Sequence, residues 1–166
     1  MTTLGFSPRA VELVKTPMMS DLPYPVPETW LDTLQANGYR VTEPRRVVVE
    51  ILATQRRALN PYQLFELARQ RYAALGLVTV YRTLEKLEAL GLIERVHQPG
   101  GCHAYLPAAV GHQHLLLCLG CGRAEHFSGD DLDALITRIA ARTGYQIQEH
   151  WLQLFGLCAG CQAGAR

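Results

Sequence analysis

The spacing of apolar residues predicts four helices in the first half of the chain. The helical periods cover residues 28–38, 42–52, 60–68 and about 79–90. In the first of them, Trp30, Leu31 and Leu34 share one face, and Gly38 suits the C-terminal cap. The second and third each carry a proline in the first turn, where a missing N–H costs little.

After Gly91 the period changes to two. The segments "LIERVH" and "CHAYL" flank "QPGG", which predicts a β-hairpin. Short helices followed by a two-stranded hairpin form the winged helix-turn-helix pattern, in which the helix before the hairpin enters the major groove of DNA. We therefore predict a winged-helix DNA-binding domain over residues 28–107. Residues 1–27 hold five of the nine prolines and are interpreted as an N-terminal extension.

The last third of the chain has a different pattern. "HQHLLLC" is typical of a strand, a helical period covers residues 130–143, and a second strand is predicted over "YQIQEHWLQLFGL". The apolar face of the helix comprises Leu132, Leu135, Ile136 and Ile139. Residues 108–166 are therefore predicted to form a small α/β domain, and the fold class of the whole chain is α+β.

Composition indicates a globular chain, with 48% hydrophobic and 19% charged residues among 166. No apolar run reaches the length of a membrane span, and the N-terminus lacks a signal-peptide pattern. We therefore expect a cytoplasmic protein, in which spaced cysteines serve as metal ligands or redox centres more often than as disulfides. The net charge is +1, but residues 38–98 carry ten Lys/Arg against six Asp/Glu, a mild footprint for a polyanion.

Two Cys-x-x-Cys pairs, Cys118/Cys121 and Cys158/Cys161, are separated by 36 residues. Two such knuckles can complete a tetrahedral four-cysteine zinc site, with no position left open for chemistry. Gly120, Gly122 and Gly160 are predicted to relieve steric crowding where backbone N–H groups turn toward the sulfurs. Two redox-active pairs or two disulfides remain the alternatives.

Histidines suggest a second metal site. His112 and His114 are two residues apart, so on a strand both imidazoles project to the same side. With His150 and Asp133 they would form a shell of three nitrogens and one oxygen, suited to zinc and acceptable to iron(II), manganese or nickel. Alternatively, the pair faces solvent, His150 is a core histidine, and Asp133 complements the helix dipole.

The chain resembles the ferric uptake regulator family of metal-dependent bacterial repressors over residues 28–162. The resemblance rests on "GYRVTEPRRVVVEIL", "LVTVYRTLEKLEALGLIERV", "GHQHLLLCLGCGRAEHF" and "EHWLQLFGLCAGC". It implies a winged helix joined to a dimerisation domain, and metal-loaded dimers on AT-rich palindromic operators. It also implies the four-cysteine zinc and the site of His112, His114, Asp133 and His150.

The resemblance further implies five DNA contacts. Thr79, Tyr81 and Arg82 on the recognition helix would reach base edges and phosphates. Arg40 would enter a narrow, AT-rich minor groove, where the negative potential is enhanced, and Arg45 would meet a phosphate. An ordinary solvated face is the alternative for these arginines.

The family's inter-domain sensing site does not carry over. In gapless register its ligand positions fall on Ala58, Leu106, Gln113, Leu115 and His126, of which only His126 is a good ligand. A rebuilt site could instead use His97, Cys102, His103 and His126. Its thiol and imidazoles would favour zinc, as in the zinc-uptake-regulator branch of the family.

We therefore predict a metal-responsive repressor of metal-homeostasis genes that senses zinc rather than iron. Its expected cofactors are a structural Zn²⁺ and a second divalent metal, Zn²⁺ or Fe²⁺. Its expected partners are double-stranded DNA and a second copy of the chain, with no membrane and no small-molecule substrate. The alternative is a metal-independent winged-helix DNA-binding or adaptor protein with one structural zinc. Neither a pocket-lining pattern nor an H-E-x-x-H helix supports an enzyme, and no catalytic residue is nominated.

Overall fold

The computed structural model describes residues 25–98, 101, 103–128 and 132–164. In chain order the elements are α1 Pro27–Ala36, α2 Glu43–Ala53, α3 Pro61–Arg71, α4 Leu77–Ala89, β1 Ile93–His97, β2 His103–Pro107, β3 His114–Cys118, β4 Ala124–Phe127, α5 Leu132–Thr143, β5 Gln153–Gly156 and α6 Ala159–Ala163. Among the described residues, every helix is too short or too polar to cross a bilayer. The predicted N-terminal extension lies almost wholly outside the described residues.

The first four helices surround one apolar core, as their periodicity predicts. The side chains that are completely buried in this winged-helix core include Leu34, Val48, Leu52, Leu64, Val80 and Leu87. β1 and β2 then form an antiparallel hairpin in which Ile93 pairs with Pro107 and His97 pairs with His103. Helices followed by this hairpin confirm the winged-helix part of the predicted fold class.

The N-terminus of α3 is fixed by a capping box. The Asn60 side chain accepts a hydrogen bond from the Gln63 backbone N–H at 2.8 Å, and the Gln63 side chain accepts one from the Asn60 N–H at 3.0 Å. Pro61 follows at the first helical position, where it lacks only a donor that the helix leaves unpaired. These three residues set where the loop from α2 ends and α3 begins.

The C-terminal domain contains a three-stranded sheet in the order β4-β3-β5. β4 runs antiparallel to β3, and β5 runs parallel to it, with Leu116 opposite Leu154. β4 was not predicted, because its alternation is carried by alanine and histidine in only four residues. The predicted strand over residues 145–157 is wrong for its first half. Only Gln153–Gly156 pair with β3, which is itself five residues long.

One apolar surface of the C-terminal domain has no cover among the described residues. No residue of α5 is buried, and Leu135 and Ile139 on its predicted apolar face are 42% and 43% exposed. Trp151, Leu154 and Phe155 are also exposed. Exposed apolar side chains of this kind are typical of interaction sites.

A second buried cluster joins the two domains and is called the inter-domain core below. It consists of Ala58, Val96, Ala104, Leu106, Leu115, Leu117 and Ala124. The hairpin contributes three of these residues and the C-terminal sheet contributes another three. The two domains are therefore packed directly against each other.

Replacing Asn60 with alanine should lower the free energy of unfolding by about 1 kcal/mol, because the Gln63 backbone N–H in the first turn of α3 loses the side-chain oxygen that accepts its hydrogen bond. Urea unfolding followed by circular dichroism measures the change. Gln70→Ala, at an exposed position near the end of the same helix, is the control and should be nearly neutral. Equal effects of the two substitutions would contradict a capping role for Asn60.

Candidate metal centres and DNA-facing surface

The four cysteines of the two Cys-x-x-Cys pairs lie together at one end of the C-terminal sheet. Their sulfur atoms are all within 4.8 Å of one another, and all four are free thiols. The Sγ atoms of Cys121 and Cys158 are 3.7 Å apart, and the Cys158 N–H donates to Cys118 Sγ at 3.2 Å. Sulfur atoms at this spacing, with an N–H turned toward one of them, suit a tetrahedral zinc ion.

The thiols of this cluster differ in acidity. The backbone N–H of Cys158 lowers the pKa of Cys118 to about 6, with a further contribution from the N–H of Cys121. Hydrogen bonds to the side chains of the other three cysteines raise the pKa of Cys161 to about 12. Neighbouring sulfurs therefore share protons, and a bound cation would allow all four to be thiolates.

Gly120 leaves the space that the Cys161 sulfur occupies. A Cβ at position 120 would lie 2.9 Å from Cys161 Sγ and 3.1 Å from Cys161 Cβ. The predicted role of this glycine in relieving crowding thus has a definite partner. At Gly160, in α6, an added Cβ would point into open space with no neighbouring atom within 4 Å, and at Gly122 the nearest atom is the Ala58 carbonyl oxygen at 3.6 Å. The predicted relief of crowding at the sulfurs is therefore wrong for Gly160 and Gly122.

Three of the four predicted ligands of the second site also converge. His112, His114 and His150 offer nitrogen atoms that lie within 4.8 Å of one another, and Nε2 of His112 is 2.9 Å from Nε2 of His150. Asp133, in the first turn of α5, is not within that distance, but its charge acts on His114. The described residues thus provide a three-nitrogen cluster, with one carboxylate nearby.

His114 is the buried member of this cluster, with 2% of its surface exposed. Burial lowers its pKa, His112 and His150 lower it further, and Asp133 partly opposes them. A histidine whose pKa is lowered is neutral at pH 7, and the neutral imidazole is the form that coordinates a metal. His114 can therefore coordinate a cation without first losing a proton.

Among the described residues of the rebuilt sensing site, the ligand atoms of His97, His103 and His126 do not form one cluster. His97 and His103 are exposed cross-strand neighbours on the hairpin, with ring centroids 5.1 Å apart. His126 is buried on β4, where its Nε2 pairs with a carboxylate oxygen of Glu94 from β1. Cys102 lies outside the described residues. His126 is thus occupied by an acidic partner, not by the hairpin histidines.

Three of the five positions that the resemblance assigns to an inter-domain sensing site are buried apolar residues. Ala58, Leu106 and Leu115 all belong to the inter-domain core. Gln113 lies at a cleft of about 620 Å³ between the domains, which His126 also lines. The departure seen in the sequence therefore corresponds to a change from polar ligands to buried hydrocarbon.

The exposed face of α4 carries the predicted DNA contacts. Val80, Thr83, Leu84 and Leu87 point inward, whereas Tyr81 is 48% exposed and Arg82 is also exposed. Thr79 is half-buried near the start of the helix. Val78, 61% exposed, joins this face three and four residues before Tyr81 and Arg82. Sequence reasoning missed Val78 because it lies outside the apolar period of α4. An apolar residue outside that period is exposed, which is the signal that could have identified it as a contact residue.

The two arginines before and within α2 differ in exposure. Arg40 is exposed, as a minor-groove contact requires. Arg45 is half-buried and donates a hydrogen bond to the Arg40 carbonyl, and burial lowers its pKa. Part of the hydrogen-bonding capacity of Arg45 therefore holds the segment that presents Arg40.

Replacing Gly120 with alanine should weaken zinc retention at the cysteines, because the new methyl group collides with the Cys161 sulfur. Zinc content after graded chelation, measured by mass spectrometry, reports the loss together with a lower melting temperature. Gly160→Ala adds the same methyl group in open space and should retain zinc like the wild type. Equal retention in both variants would argue against four sulfurs around one ion.

Comparison with known proteins places this architecture. The model of the Ferric uptake regulator family matches residues 36–155. A ferric uptake regulation protein of Cupriavidus metallidurans is 34% identical over 122 residues, which cover 73% of this chain and 85% of the relative. The solved ferric uptake regulator of Vibrio cholerae is 31% identical, with a TM-score of 0.60, over 76% of this chain and 98% of its own.

A solved zinc-bound manganese uptake regulator is 29% identical to the chain, with a TM-score of 0.66. The match covers 78% of this chain and 98% of that structure. Family model, relatives and structures thus agree with the winged helix, the C-terminal sheet and the resemblance seen in the sequence. The chain belongs to the ferric uptake regulator family.

Proposed function

We propose that this protein is a metal-responsive, DNA-binding transcriptional repressor of metal-homeostasis genes. The observation that carries the proposal is the convergence of His112, His114 and His150 in a domain attached to a winged helix. The family consists of transcription regulators and not of enzymes. A cytoplasmic location would follow from this role.

The DNA partner is proposed to be a palindromic, AT-rich operator. Tyr81 and Arg82 would meet base edges and phosphates in the major groove, and Val78 offers an apolar contact for a thymine methyl group. Arg40 would enter the minor groove. Thr79 and Arg45 are proposed to support these contacts at the start of each helix.

The second partner is proposed to be another copy of the chain. Family regulators bind DNA as dimers, and the uncovered apolar surface of α5 and β5 is the part of this chain that needs burial. A two-fold dimer presents two recognition helices to two half-sites, which matches a palindrome.

Zinc is the metal that we propose for both clusters. Four thiolates with no open position suit a structural Zn²⁺, and three imidazoles with one carboxylate suit an exchangeable Zn²⁺ better than Fe²⁺. Asp133 is proposed as the fourth ligand of the exchangeable site, reached by a small movement of α5. Such a movement would link metal binding to the dimer surface, since α5 carries both.

The alternative function is a metal-independent DNA-binding or adaptor protein with one structural zinc. The inter-domain core favours it, because apolar residues stand where the family places sensing ligands. The two functions differ in what the histidine cluster does. Substitution of its members decides between them.

His150→Ala should lower the metal content by one ion per chain and weaken DNA binding in the presence of zinc, because two imidazoles bind less tightly than three. Metal analysis by mass spectrometry and fluorescence anisotropy on a DNA site selected from a random library are the measurements. His103→Ala removes an exposed histidine outside the cluster and is the control. Unchanged metal content and affinity in His150→Ala would leave the adaptor function in its place.

Arg82→Ala should weaken DNA binding and reduce the slope of log affinity against log salt by about 0.9 if Arg82 meets one phosphate. Arg138→Ala, an exposed arginine on α5, is the charge-matched control and should leave the slope unchanged. Binding titrations at several salt concentrations provide both values. A slope that fell equally in both variants would point to net charge and not to a contact.

A further inference from the structure

We propose that the orientation of the winged helix relative to the C-terminal domain is fixed by the protein's own packing and does not change when metal enters the histidine cluster. The regulatory meaning of this proposal rests on the proposed function, whereas its structural content does not. Its support comes from three features of the contact between the domains.

The first feature is the hairpin, which buries both of its faces. On β2, Tyr105 packs in the winged-helix core, while its neighbours Ala104 and Leu106 belong to the inter-domain core. On β1, Ile93 and Val96 divide in the same way. Since adjacent strand residues point to opposite faces, the hairpin is the middle layer between the helices and the C-terminal sheet.

The C-terminal sheet supplies the other side of this layer. Leu115 and Leu117, two residues apart on β3, and Ala124 on β4 complete the inter-domain core. Val96, Leu106 and Leu117 are at most 1% exposed. Separating the domains would expose all three side chains to water at once, and exposing apolar surface is unfavourable.

The second feature is a short backbone ladder between the domains. The Ala58 N–H donates to the Gly122 carbonyl at 3.0 Å, and the Ala124 N–H donates to the Arg56 carbonyl at 3.0 Å. Gly122 has φ +73, and a Cβ there would lie 3.6 Å from the Ala58 carbonyl oxygen. The ladder therefore ties the α2–α3 connection to the strand that follows the first cysteine knuckle.

The third feature is a pair of polar contacts at the rim. Glu94 on β1 pairs with the buried His126 on β4. The Gln153 side chain on β5 donates to the His97 carbonyl at 2.7 Å. Two strands of the C-terminal sheet thus hold the same strand of the hairpin.

None of the candidate metal ligands belongs to the inter-domain core, although His112 and His150 line the cleft between the domains together with His97. The three clustered histidines, Asp133 and the four cysteines all belong to the C-terminal domain, so a metal ion bound to them bridges no described residue of the winged helix. A ligand shifts an equilibrium only by its difference in affinity for the two states. To drive a hinge from one state to the other, metal would need roughly 10⁴-fold different affinities for them. Metal at the histidines therefore acts on α5 and the dimer surface instead.

Hydrogen exchange of the Ala58 and Ala124 amides tests the proposal on the full-length protein. The sample retains zinc at the cysteines and is measured after mild chelation and again after zinc is added back. We expect both amides to be equally protected in the two states. A loss of protection of roughly tenfold or more on chelation would overturn the proposal, because it would mean that the ladder opens when metal leaves.

A pair of variants tests whether the inter-domain core holds the two domains together. Leu106→Ala removes a fully buried side chain from the inter-domain core, and Leu34→Ala removes one from the winged-helix core. Relative to the amides of α2, the two ladder amides should exchange faster in Leu106→Ala but not in Leu34→Ala. If both variants exchange alike at the ladder, the inter-domain core does not hold the domains.

DNA affinity measured on the same samples separates this proposal from the proposed function. Affinity that falls on chelation while the ladder stays protected supports both. Affinity that ignores chelation while the ladder stays protected overturns metal-responsive repression but supports the fixed orientation. A ladder that opens on chelation overturns the fixed orientation, whatever the affinity does.

Discussion

Burial of the hairpin on both faces is the constraint on which the rest of the structure depends. A wing that packs only on its own helices is free to move with them, but this one also forms the floor of the inter-domain core. α4 leads directly into β1, and β2 leads within a few residues to His112. The position of the DNA-facing helix and the position of the histidine cluster are therefore set by the same two strands.

The two ligand clusters lie at opposite ends of the short pair of strands β3 and β5. β3 and β5 pair in parallel over only four residues, and parallel pairing is less stable per residue than antiparallel pairing. The cysteines lie beyond the C-terminal end of this pair, whereas His114 begins β3 and His150 precedes β5 at the other end. A metal ion at each end would hold together two strands that are separated widely in sequence. The four-cysteine set leaves no open position and suits a permanently bound ion, whereas the more open histidine set suits an ion that exchanges.

Sequence patterns predicted the elements that local physics controls. The helical periods, the hairpin and the cap at Asn60 depend on neighbours a few residues away, and the structure has them where they were expected. The cysteine and histidine groups were also found, because ligand chemistry restricts residue type and spacing. Asp133 was included for its ligand chemistry and then by resemblance, and whether it closes the site depends on the position of α5, none of whose described residues is buried.

What the sequence concealed depends on contacts between distant segments. Ala58 and Leu106 look like ordinary core residues, and nothing local indicates that they face another domain. The pairing of His126 with Glu94 joins residues 32 positions apart in sequence, and no local pattern predicts it. β4 was missed because its stability comes from β3 beside it, not from its own composition.

The hairpin is packed on both of its faces, so it couples the positions of the two domains. If the orientation of the two domains is fixed as proposed above, a change in the angle between two copies of the chain would also change the separation of their α4 helices. The spacing of half-sites that such a dimer can bind would then depend on the angle between its two copies. Substitutions of the exposed apolar residues Leu135 and Ile139 on α5 would then change which operators such a dimer can span.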